Sequence, residues 1–328
     1  MKKIRWGVLS TGKIAHTFAK ALQATADAEL YAVSSRSAEK AEAFAEQYGF
    51  EKYFGSTEEM LADENVQVVY IGSPMSCHYA DALKCLKAGK HVLCEKTVTL
   101  CTNQLDEILR IAAENNLFFM EAMWTKTLPH YRQAKEWVDN GRIDQIKMIK
   151  ADFVNMCEGD PENRLFRPDL GGGALLDLGV YPLTFAMAFL GNEPESITAA
   201  AHMKNGVDYD DAVILTYHDA FAAMTFGFDC KSENAATIVG ETGSVVFDSW
   251  FHCSEKVSLF DSNNRLIETK HFPHPRTGYE YEIMEVNRCL NMGLTESHLV
   301  PHSDTRAVMV MIDKIKEKIG LSYPNENI

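Results

Sequence analysis

The sequence predicts an α/β fold that begins with a doubly wound parallel sheet and continues into an α+β region with an open, mostly antiparallel sheet. In the first third, short apolar runs alternate with segments whose apolar residues recur at helical spacing, which is typical of helix-linked parallel strands. After about residue 122, strand-like runs follow one another without intervening helices, which favours antiparallel pairing. The chain has 328 residues, enough for two domains. We place them at residues 1–122 and 123–328.

The first region is predicted element by element from periodicity and caps. Ile14, Phe18 and Leu22 share one helix face. Ser37 suits the start of the next helix, and Gly49 suits its end. A capping-box pattern at residues 56–59 opens a short helix. The helix after the strand at 66–71 ends at Gly89, and a further helix spans 105–113. The predicted strands are 4–9, 30–33, 66–71, 91–94 and 117–120. Ligands of such sheets bind at the carboxyl ends of the strands.

The second region has a different rhythm. Its predicted helices are 131–140, 174–190, 281–292 and 304–319. Its predicted strands are 145–154, 197–201, 212–217, 222–228, 236–239, 244–247, 257–260 and 266–269. Asn263 and Asn264 indicate a hairpin turn between the last two strands. The closing helices could return to pack on the first domain.

Composition excludes several classes of partner. The formal net charge is -14, and no Lys/Arg-rich run offsets it. Such a chain should repel nucleic acid and anionic membranes. The N-terminus reads directly into a strand rather than a signal peptide, and no apolar run looks long enough to span a bilayer. The 8 cysteines are scattered and form no CxxC pair, which favours reduced thiols and a cytoplasmic location.

The turn after the first strand resembles a dinucleotide-binding glycine motif. It reads STGKIA at 10–15, so Ser10 replaces the first glycine, Gly12 is the second and Ala15 the third. Gly12 would allow close approach of a pyrophosphate to the helix N-terminus. The alternative is a plain strand-to-helix turn, but the βαβ context is the one that the motif requires. The predicted contacts are Ser10, Thr11, Gly12, Lys13 and Ile14.

The end of the second strand discriminates between cofactors. A site for NAD usually places Asp or Glu there, to accept from the ribose 2′-hydroxyl. This strand ends instead in Ser34, Ser35 and Arg36. A hydroxyl and a guanidinium can bind a 2′-phosphate. The sequence therefore favours NADP(H) over NAD(H), with Ser35 and Arg36 as contacts; an exposed arginine without a ligand is the alternative.

Four segments together resemble the Gfo/Idh/MocA oxidoreductases. They are YIGSP at 70–74 with His78, AGKHVLCEK at 88–96, MEAMWTK at 120–126 and GGGALLDLGVY at 171–181. The third is similar to the subgroup of dimeric trans-dihydrodiol and NADP-dependent D-xylose dehydrogenases. The resemblance covers nearly the whole chain.

The resemblance implies a Rossmann domain followed by a substrate-binding and dimerisation domain, and so a homodimer or higher homo-oligomer. It implies that Ser73, Pro74, His78, Glu95 and Lys96 contact the cofactor. A helix-capping role for His78 is equally open. Trp124 would contact a small sugar or polyol substrate.

Lys96, Asp177 and Tyr181 are the predicted catalytic residues. In the family, the lysine that matches Lys96 lies near the nicotinamide and the substrate oxygen, where an ammonium can stabilise developing charge and lower the pKa of a phenol. Asp177 and Tyr181 are four apart on a helix, so they share a face. Tyr181, where many relatives carry histidine, would be the general base in oxidation and the acid in reduction. Asp177 would orient the substrate or the lysine. The alternative for Tyr181 is a structural hydrogen bond.

Two departures and two discounted signals complete the interpretation. Thr97 replaces the family's proline after Lys96, which relaxes the backbone constraint there. Lys126 and Thr127 also differ from common family residues. The histidine pairs 271/274 and 298/302 are interpreted as surface residues, and no metal site is expected.

Three other functions remain open. The protein could be an NAD-dependent polyol dehydrogenase or a glycosidase that uses the bound cofactor through transient oxidation. Less favoured is a non-catalytic NADP-binding regulator, which would have no need of the Lys96 and Tyr181 pair.

Overall fold

The computed structural model describes residues 2–157 and 162–326. By their internal contacts, the residues divide into two units. One is Met1–Thr127 with His274–Thr305, and the other is Leu128–Pro273 with Arg306–Ile328. Each unit is therefore assembled from two stretches of chain. The domain boundary between residues 122 and 123 stays a prediction.

The first unit contains a six-stranded parallel sheet with connecting helices. The strands are β1 (Ile4–Leu9), β2 (Ala28–Ser34), β3 (Lys52–Phe54), β4 (Val68–Ile71), β5 (His91–Glu95) and β6 (Phe119–Ala122). The helices are α1 (Lys13–Ala24), α2 (Ala38–Tyr48), α3 (Thr57–Ala62), α4 (Met75–Lys87) and α5 (Thr102–Glu114). The strand order is β3-β2-β1-β4-β5-β6, with every neighbouring pair parallel. The predicted doubly wound sheet is confirmed; β3 was not predicted, because three residues are too few to show a period.

Caps act where the sequence indicated them. Ser37 accepts a hydrogen bond from the Lys40 amide, and Gly49 ends α2 with a φ of 81°. Ser56 accepts from the Glu59 amide at the start of α3. These side chains satisfy amides that a helix leaves without partners at its first turn.

A late helix completes the core of the first unit. This helix, α8 (Glu280–Asn291), packs against α1. The indole of Trp6 on β1 is fully buried, and its Nε1 donates to Oδ1 of Asn287 at 3.0 Å. The return of the closing helices to the first domain stays a prediction, and α8 itself belongs to the first of the two units.

The second unit contains an eight-stranded mixed sheet. Its strands are β7 (Ile146–Val154), β8 (Ser196–Lys204), β9 (Val207–Thr216), β10 (Phe221–Gly227), β11 (Ala236–Gly240), β12 (Gly243–Phe247), β13 (Lys256–Asp261) and β14 (Leu266–His271). The order is β14-β13-β12-β11-β7-β10-β9-β8, and only β7 and β10 pair in parallel. This agrees with the predicted, mostly antiparallel sheet. The expected hairpin joins β13 and β14, and Asn264 has a φ of 59°.

Helices cover one face of this sheet. They include α6 (Pro129–Asp139), which packs on β13 and β14, and α7 (Val180–Leu190), which packs on β7 and β10. All residues of α7 from 180 to 187 are buried. A helix that is apolar on every side belongs in a core. The last helix is α9 (His302–Ile319).

One stretch does pass a length and hydropathy test for a membrane span, contrary to the sequence expectation. It is Pro168–Leu190, with a mean hydropathy of 1.6, and 78% of its most apolar window is buried. Buried core helices pass the same test, and this stretch contains α7.

Candidate functional site

The order of the six-stranded sheet defines where a ligand can bind in the first unit. The chain runs from β1 to β2 on one side and from β4 to β5 on the other side of the sheet. The loops that follow β1 and β4 therefore diverge and leave a crevice between them. Open α/β sheets bind ligands at this position, at the carboxyl ends of the strands. The two loops approach each other closely: a Cβ added to Gly12 would lie 3.9 Å from the Gly72 carbonyl oxygen.

The turn after β1 has the geometry of a phosphate cradle. Ser10 has a φ of 97°, a region that glycine prefers, and its Oγ accepts from the Gly12 amide at 3.1 Å. Gly12 is the N-cap residue of α1, and no side chain among the residues that the structure describes caps this helix end. Gly12 and Lys13 are exposed, and Ile14 is half-buried. An uncapped helix N-terminus behind an exposed glycine turn suits an anionic pyrophosphate.

Hydroxyl groups and an arginine gather at the end of β2. Thr11 Oγ1 lies 3.5 Å from Ser35 Oγ, and the Ser37 amide donates to Ser35 at 3.4 Å. Arg36 is exposed beside them. The nearest acid along the chain, Glu39, accepts a hydrogen bond from Ser37 at 2.7 Å. The end of β2 thus presents donors where a site for NAD presents a carboxylate.

Hydrogen bonds to Asp81 and His78 fix the loop after β4. Ser73 Oγ donates to Asp81 Oδ2 at 2.7 Å, and Pro74 is exposed. The two ring nitrogens of the buried His78 lie 2.9 Å from the Ser73 carbonyl oxygen and 3.0 Å from that of Thr97. His78 therefore bridges the loops that follow β4 and β5, a role that neither sequence interpretation included.

Lys96 directly follows β5 and is half-buried. The peptide bond to Thr97, which is fully buried, is cis. The preceding Glu95 is buried and accepts from the hydroxyl of Tyr70 at 2.5 Å. Burial and the charge of Glu95 raise the pKa of Tyr70 well above its ordinary value, so the phenol remains a donor. Lys96 thus extends from a strand end that an internal hydrogen bond holds in place.

Sequence reasoning missed several buried carboxyl groups in the first unit, among them those of Glu121 and Glu282. Glu121 on β6 is buried and accepts from the Val98 amide at 3.3 Å, and burial raises the pKa of Glu121 to about 7. Glu282 on α8 is fully buried, and burial and the charge of Glu95 raise its pKa well above the ordinary value. A buried glutamate carries no sequence signal of its own, because its burial depends on tertiary packing.

Trp124 lies in a short 3-10 helix, Trp124–Thr127, and is only 7% exposed. Its ring stacks on Tyr279 with centroids 4.3 Å apart. Nearby, the buried Lys126 pairs with Asp304 at 2.5 Å. In the first unit, Trp124 is thus a packed side chain with little exposed surface, and its predicted contact with substrate stays a prediction.

In the second unit, Asp177 and Tyr181 are carried by one continuous helix with an unusual start. Residues Leu175–Gly179 form a π-helical turn, and α7 continues from Val180. Arg164 Nη2 donates to Asp177 Oδ1 at 3.0 Å. Single π turns inserted in helices are frequent at functional sites.

Aromatic rings surround Tyr181, which is 7% exposed. Its ring centroid lies 4.8 Å from that of His252 and 5.4 Å from that of Phe153. His252 also stacks on Phe153 at 4.4 Å. Trp250, 43% exposed, lies 6.0 Å from His252. These partners were missed, although the consecutive aromatic residues 250–252 after β12 were a usable signal.

Comparison with protein families decides the identity of the fold. Residues 4–123 match the model of an oxidoreductase family with an NAD-binding Rossmann fold, and residues 131–246 match the Gfo/Idh/MocA C-terminal domain. The chain belongs to the Gfo/Idh/MocA oxidoreductase family. It is accordingly an NAD(P)-dependent oxidoreductase, and the predicted resemblance is confirmed.

Relatives within this family match the chain from end to end. A trans-1,2-dihydrobenzene-1,2-diol dehydrogenase from Xenopus laevis is 32% identical over 98% of this chain and 99% of its own. The Homo sapiens protein of the same name is 30% identical, with coverage of 98% and 99%.

Solved structures give the same picture. A 3-ketoreductase from Actinomadura kijaniata, in complex with NADP and TDP-benzene, has a TM-score of 0.87 and 26% identity, with coverage of 97% and 98%. Its other solved structures include a Tyr→Phe and a Lys→Ala mutant. A levoglucosan dehydrogenase complex with NADH has a TM-score of 0.87 at 18% identity, covering 99% and 100% of the chains, which supports the fold alone.

The described part of the chain contains no cluster of potential metal ligands. Within residues 2–157 and 162–326, no group of three His, Cys, Asp or Glu side chains could bind a metal ion. His302, interpreted from the sequence as a surface residue, is half-buried, and its Nε2 lies 2.8 Å from the Phe119 carbonyl oxygen. The helix α9 begins at His302, directly after Pro301, and this places the ring against β6.

Proposed function

We propose that this oxidoreductase prefers NADP(H) and interconverts a CH–OH group and a C=O group on a cyclic polyol, sugar or dihydrodiol. The observation that carries the cofactor preference is the end of β2. There Thr11 and Ser35 hydroxyls lie 3.5 Å apart beside the exposed Arg36, at the position where an acid would favour NAD. A guanidinium can bind a 2′-phosphate with two charge-assisted hydrogen bonds.

The residues of the first unit fit a dinucleotide. The exposed glycine turn at Ser10 and Gly12 would take the pyrophosphate at the start of α1, and the loop at Ser73 and Pro74 borders the same point of the sheet. When bound, the nicotinamide would supply the hydride acceptor or donor. The chain itself binds, orients and moves the proton.

Lys96, Tyr181 and Asp177 divide the remaining chemistry. The ammonium of Lys96 would hold the substrate oxygen and stabilise negative charge that develops on it. The phenol of Tyr181 would take the hydroxyl proton in oxidation and return it in reduction. Asp177, which accepts a hydrogen bond from Arg164, would orient the substrate. The rings of His252 and Phe153 restrict the position of the Tyr181 ring.

The substrate class is proposed from relatives and from one exposed ring. Dihydrodiol dehydrogenases match the whole chain, and the 3-ketoreductase was solved with a TDP-linked ligand. In the second unit, Trp250 offers a half-exposed indole near the Tyr181 and His252 pair. A flat apolar surface suits the C–H face of a ring that carries hydroxyl groups.

Nucleotide titration tests the cofactor preference. Binding of NADPH and NADH is followed by nicotinamide fluorescence in the wild type, in Arg36→Ala and in the control Arg265→Ala, which removes an exposed arginine from the β13–β14 hairpin. We expect NADPH to bind more tightly than NADH. Loss of charge-assisted hydrogen bonds in Arg36→Ala should weaken NADPH binding by about 10- to 100-fold. NADH binding and the control should change little.

The other outcomes point to other functions. Tighter binding of NADH would favour an NAD-dependent polyol dehydrogenase. Release of an aglycone without net change in the nicotinamide would favour the glycosidase. Nucleotide binding without turnover of any aldose, polyol or dihydrodiol would favour a regulator. Absence of binding by either nucleotide would refute the proposal.

A further inference from the structure

The turn that precedes Asp177 and Tyr181 leaves no room for side chains. A Cβ on Gly172 would lie 2.6 Å from the Arg164 carbonyl oxygen. Gly173 has a φ of 120°, and a Cβ there would collide with Oδ1 of Asp208. The backbone of the turn is therefore in direct contact with its neighbours, and movement of Asp208 would move the turn.

Asp208 and Tyr323 hold this turn by hydrogen bonds. Asp208 on β9 is fully buried, and its Oδ2 accepts from the Leu175 amide at 2.5 Å, at the start of the π-helical segment. Tyr323 is also buried and donates to the Gly172 carbonyl oxygen at 2.8 Å. A carboxylate at a helix start satisfies an otherwise unpartnered amide and interacts favourably with the helix dipole.

A bulge brings a second carboxyl group to the first. The register between β8 and β9 shifts between His202, opposite Asp210, and Met203, opposite Asp208. The extra residue of the bulge, Tyr209, reverses the alternation of side chains. Asp208 and Asp211 consequently lie on the same face of β9, where their carboxyl groups are close enough to perturb each other.

Few surrounding groups could neutralise this pair. Asp211 is 5% exposed, and the residues opposite it on β8 and β10 are Ala201 and Phe226. Both Asp211 oxygens and Asp208 Oδ1 have no donor among the residues that the structure describes. The titratable neighbours of the pair are Asp210 on β9 itself and Tyr323. Glu326 lies near Tyr323, and Lys316 is engaged with Glu326 and Asp313.

Two adjacent buried carboxyl groups cannot both ionise at low cost. Burial raises the pKa of both groups, and the charge of Asp208 raises that of Asp211 further. One proton between them would allow Asp211 to donate to Asp208 Oδ1 and leave Oδ2 as the acceptor for the Leu175 amide. Ionisation of both would produce repulsion behind Gly173.

We propose that Asp208 and Asp211 share one proton and act as a positioning pair, which holds the three-glycine turn and thereby Asp177 and Tyr181 in their working geometry. This inference rests on the proposed function for its effect on turnover. Its structural part, the proton-dependent hold on the turn, does not depend on activity.

Two substitutions separate the shared proton from simple packing. In Asp211→Asn, an amide donates to Asp208 without needing a titratable proton. In Asp211→Ala, the donor is lost and Asp208 is left alone. The control is Asp219→Asn, which removes an exposed carboxylate from the same unit. NADPH binding is measured in every variant as a check on folding.

Hydrogen exchange of the amides at 174–178 reports on the turn directly. We expect exchange in Asp211→Ala to be about tenfold faster than in the wild type, with the same NADPH affinity and a lower kcat. Asp211→Asn should retain wild-type exchange and kcat near neutral pH. If Asp211→Ala exchanges at the wild-type rate, or Asp211→Asn exchanges as fast as the alanine variant, the positioning role is wrong.

The pH dependence tests the proton. Because the pKa of Asp211 is raised in the folded state, its contribution to stability is present in acid and declines as the pH rises towards that pKa. The denaturant midpoint of the wild type should therefore fall with rising pH more than that of Asp211→Asn. If the midpoint depends on pH equally in the wild type and in Asp211→Asn, the two aspartates do not share a proton. If Ca²⁺ or Mg²⁺ raises the wild-type midpoint but not that of Asp211→Asn, the pair binds a cation, and the shared proton is again wrong.

The two proposals can fail separately. If Tyr181→Phe retains full activity, the proposed function fails, while exchange and midpoint still report on the pair. If Tyr181→Phe is inactive but exchange is unaffected in Asp211→Ala, only the positioning pair fails.

Discussion

Ser10 combines a backbone angle suited to glycine with a side chain that compensates for it. Its φ is 97°, and its Oγ accepts from the Gly12 amide at 3.1 Å. Ser10→Ala keeps the strain and loses the bond, whereas Ser10→Gly loses the bond but relieves the strain. We expect the alanine variant to be less stable than the glycine variant by about 1–2 kcal/mol. Urea unfolding measures this difference, and the opposite order would contradict the explanation.

Tyr181 is the residue whose hydroxyl the proposed chemistry needs. Tyr181→Phe should keep the ring packed on His252 and Phe153 while removing the proton donor. We expect kcat to fall by about 10²- to 10⁴-fold, with NADPH affinity unchanged. Steady-state kinetics on an active diol or aldose measures the loss. Tyr217→Phe, which removes a hydroxyl that donates to Gly191 in the same unit, is the matched control and should remain active.

At the scale of elements, β6 introduces a carboxyl group into the core. Burial raises the pKa of Glu121 to about 7, against nearby groups that include Thr305, Lys126 and Lys96. A raised pKa means that the contribution is full in acid and is lost as the pH rises through about 7. The wild type should lose up to about 3 kcal/mol of unfolding free energy over this range relative to Glu121→Gln. Glu46→Gln, at an exposed position, should match the wild-type slope in denaturant unfolding across the same range.

Elements were predictable where the local pattern decides them. Periodicity and turn chemistry were sufficient to predict the strand before Ser10, the caps at Ser37 and Ser56, and the β13–β14 hairpin. The π turn at Leu175–Gly179 was not predictable, because it differs from an α-helix by one residue per turn and depends on packing around Gly172 and Gly173.

Candidate site residues divide in the same way. Lys96 and Gly12 stand at strand ends that the apolar runs predict, and the structure places them at those ends. His252, Glu121 and Glu282 depend on contacts between residues far apart in sequence, which no local pattern records. Tertiary packing determines which polar groups are buried in a core, so local sequence patterns do not predict them.

For the whole molecule, we propose that the open face of the eight-stranded sheet pairs two copies of the chain. Ile214 and Phe221 lie on one face of β9 and β10 and are 42% and 43% exposed. A contiguous exposed apolar patch marks an association surface more often than scattered apolar residues do. Ile214→Asp should shift the protein from dimer to monomer in sedimentation equilibrium, and Met292→Asp, in the first unit, should not. A wild-type monomer would rule out this interface.

The division of the chain into interleaved units has a consequence for synthesis. The polypeptide passes from one unit to the other at 127/128, 273/274 and 305/306. Chains emerge from the ribosome N-terminus first, and units usually fold in that order. Here the parallel sheet emerges early, but Asn287, the acceptor for the buried Trp6 indole, arrives only after most of the second unit has been translated. The core of the nascent sheet therefore stays incomplete until α8 is translated, about 160 residues after β6. A gene fragment that stops after the parallel sheet should accordingly yield an aggregation-prone product.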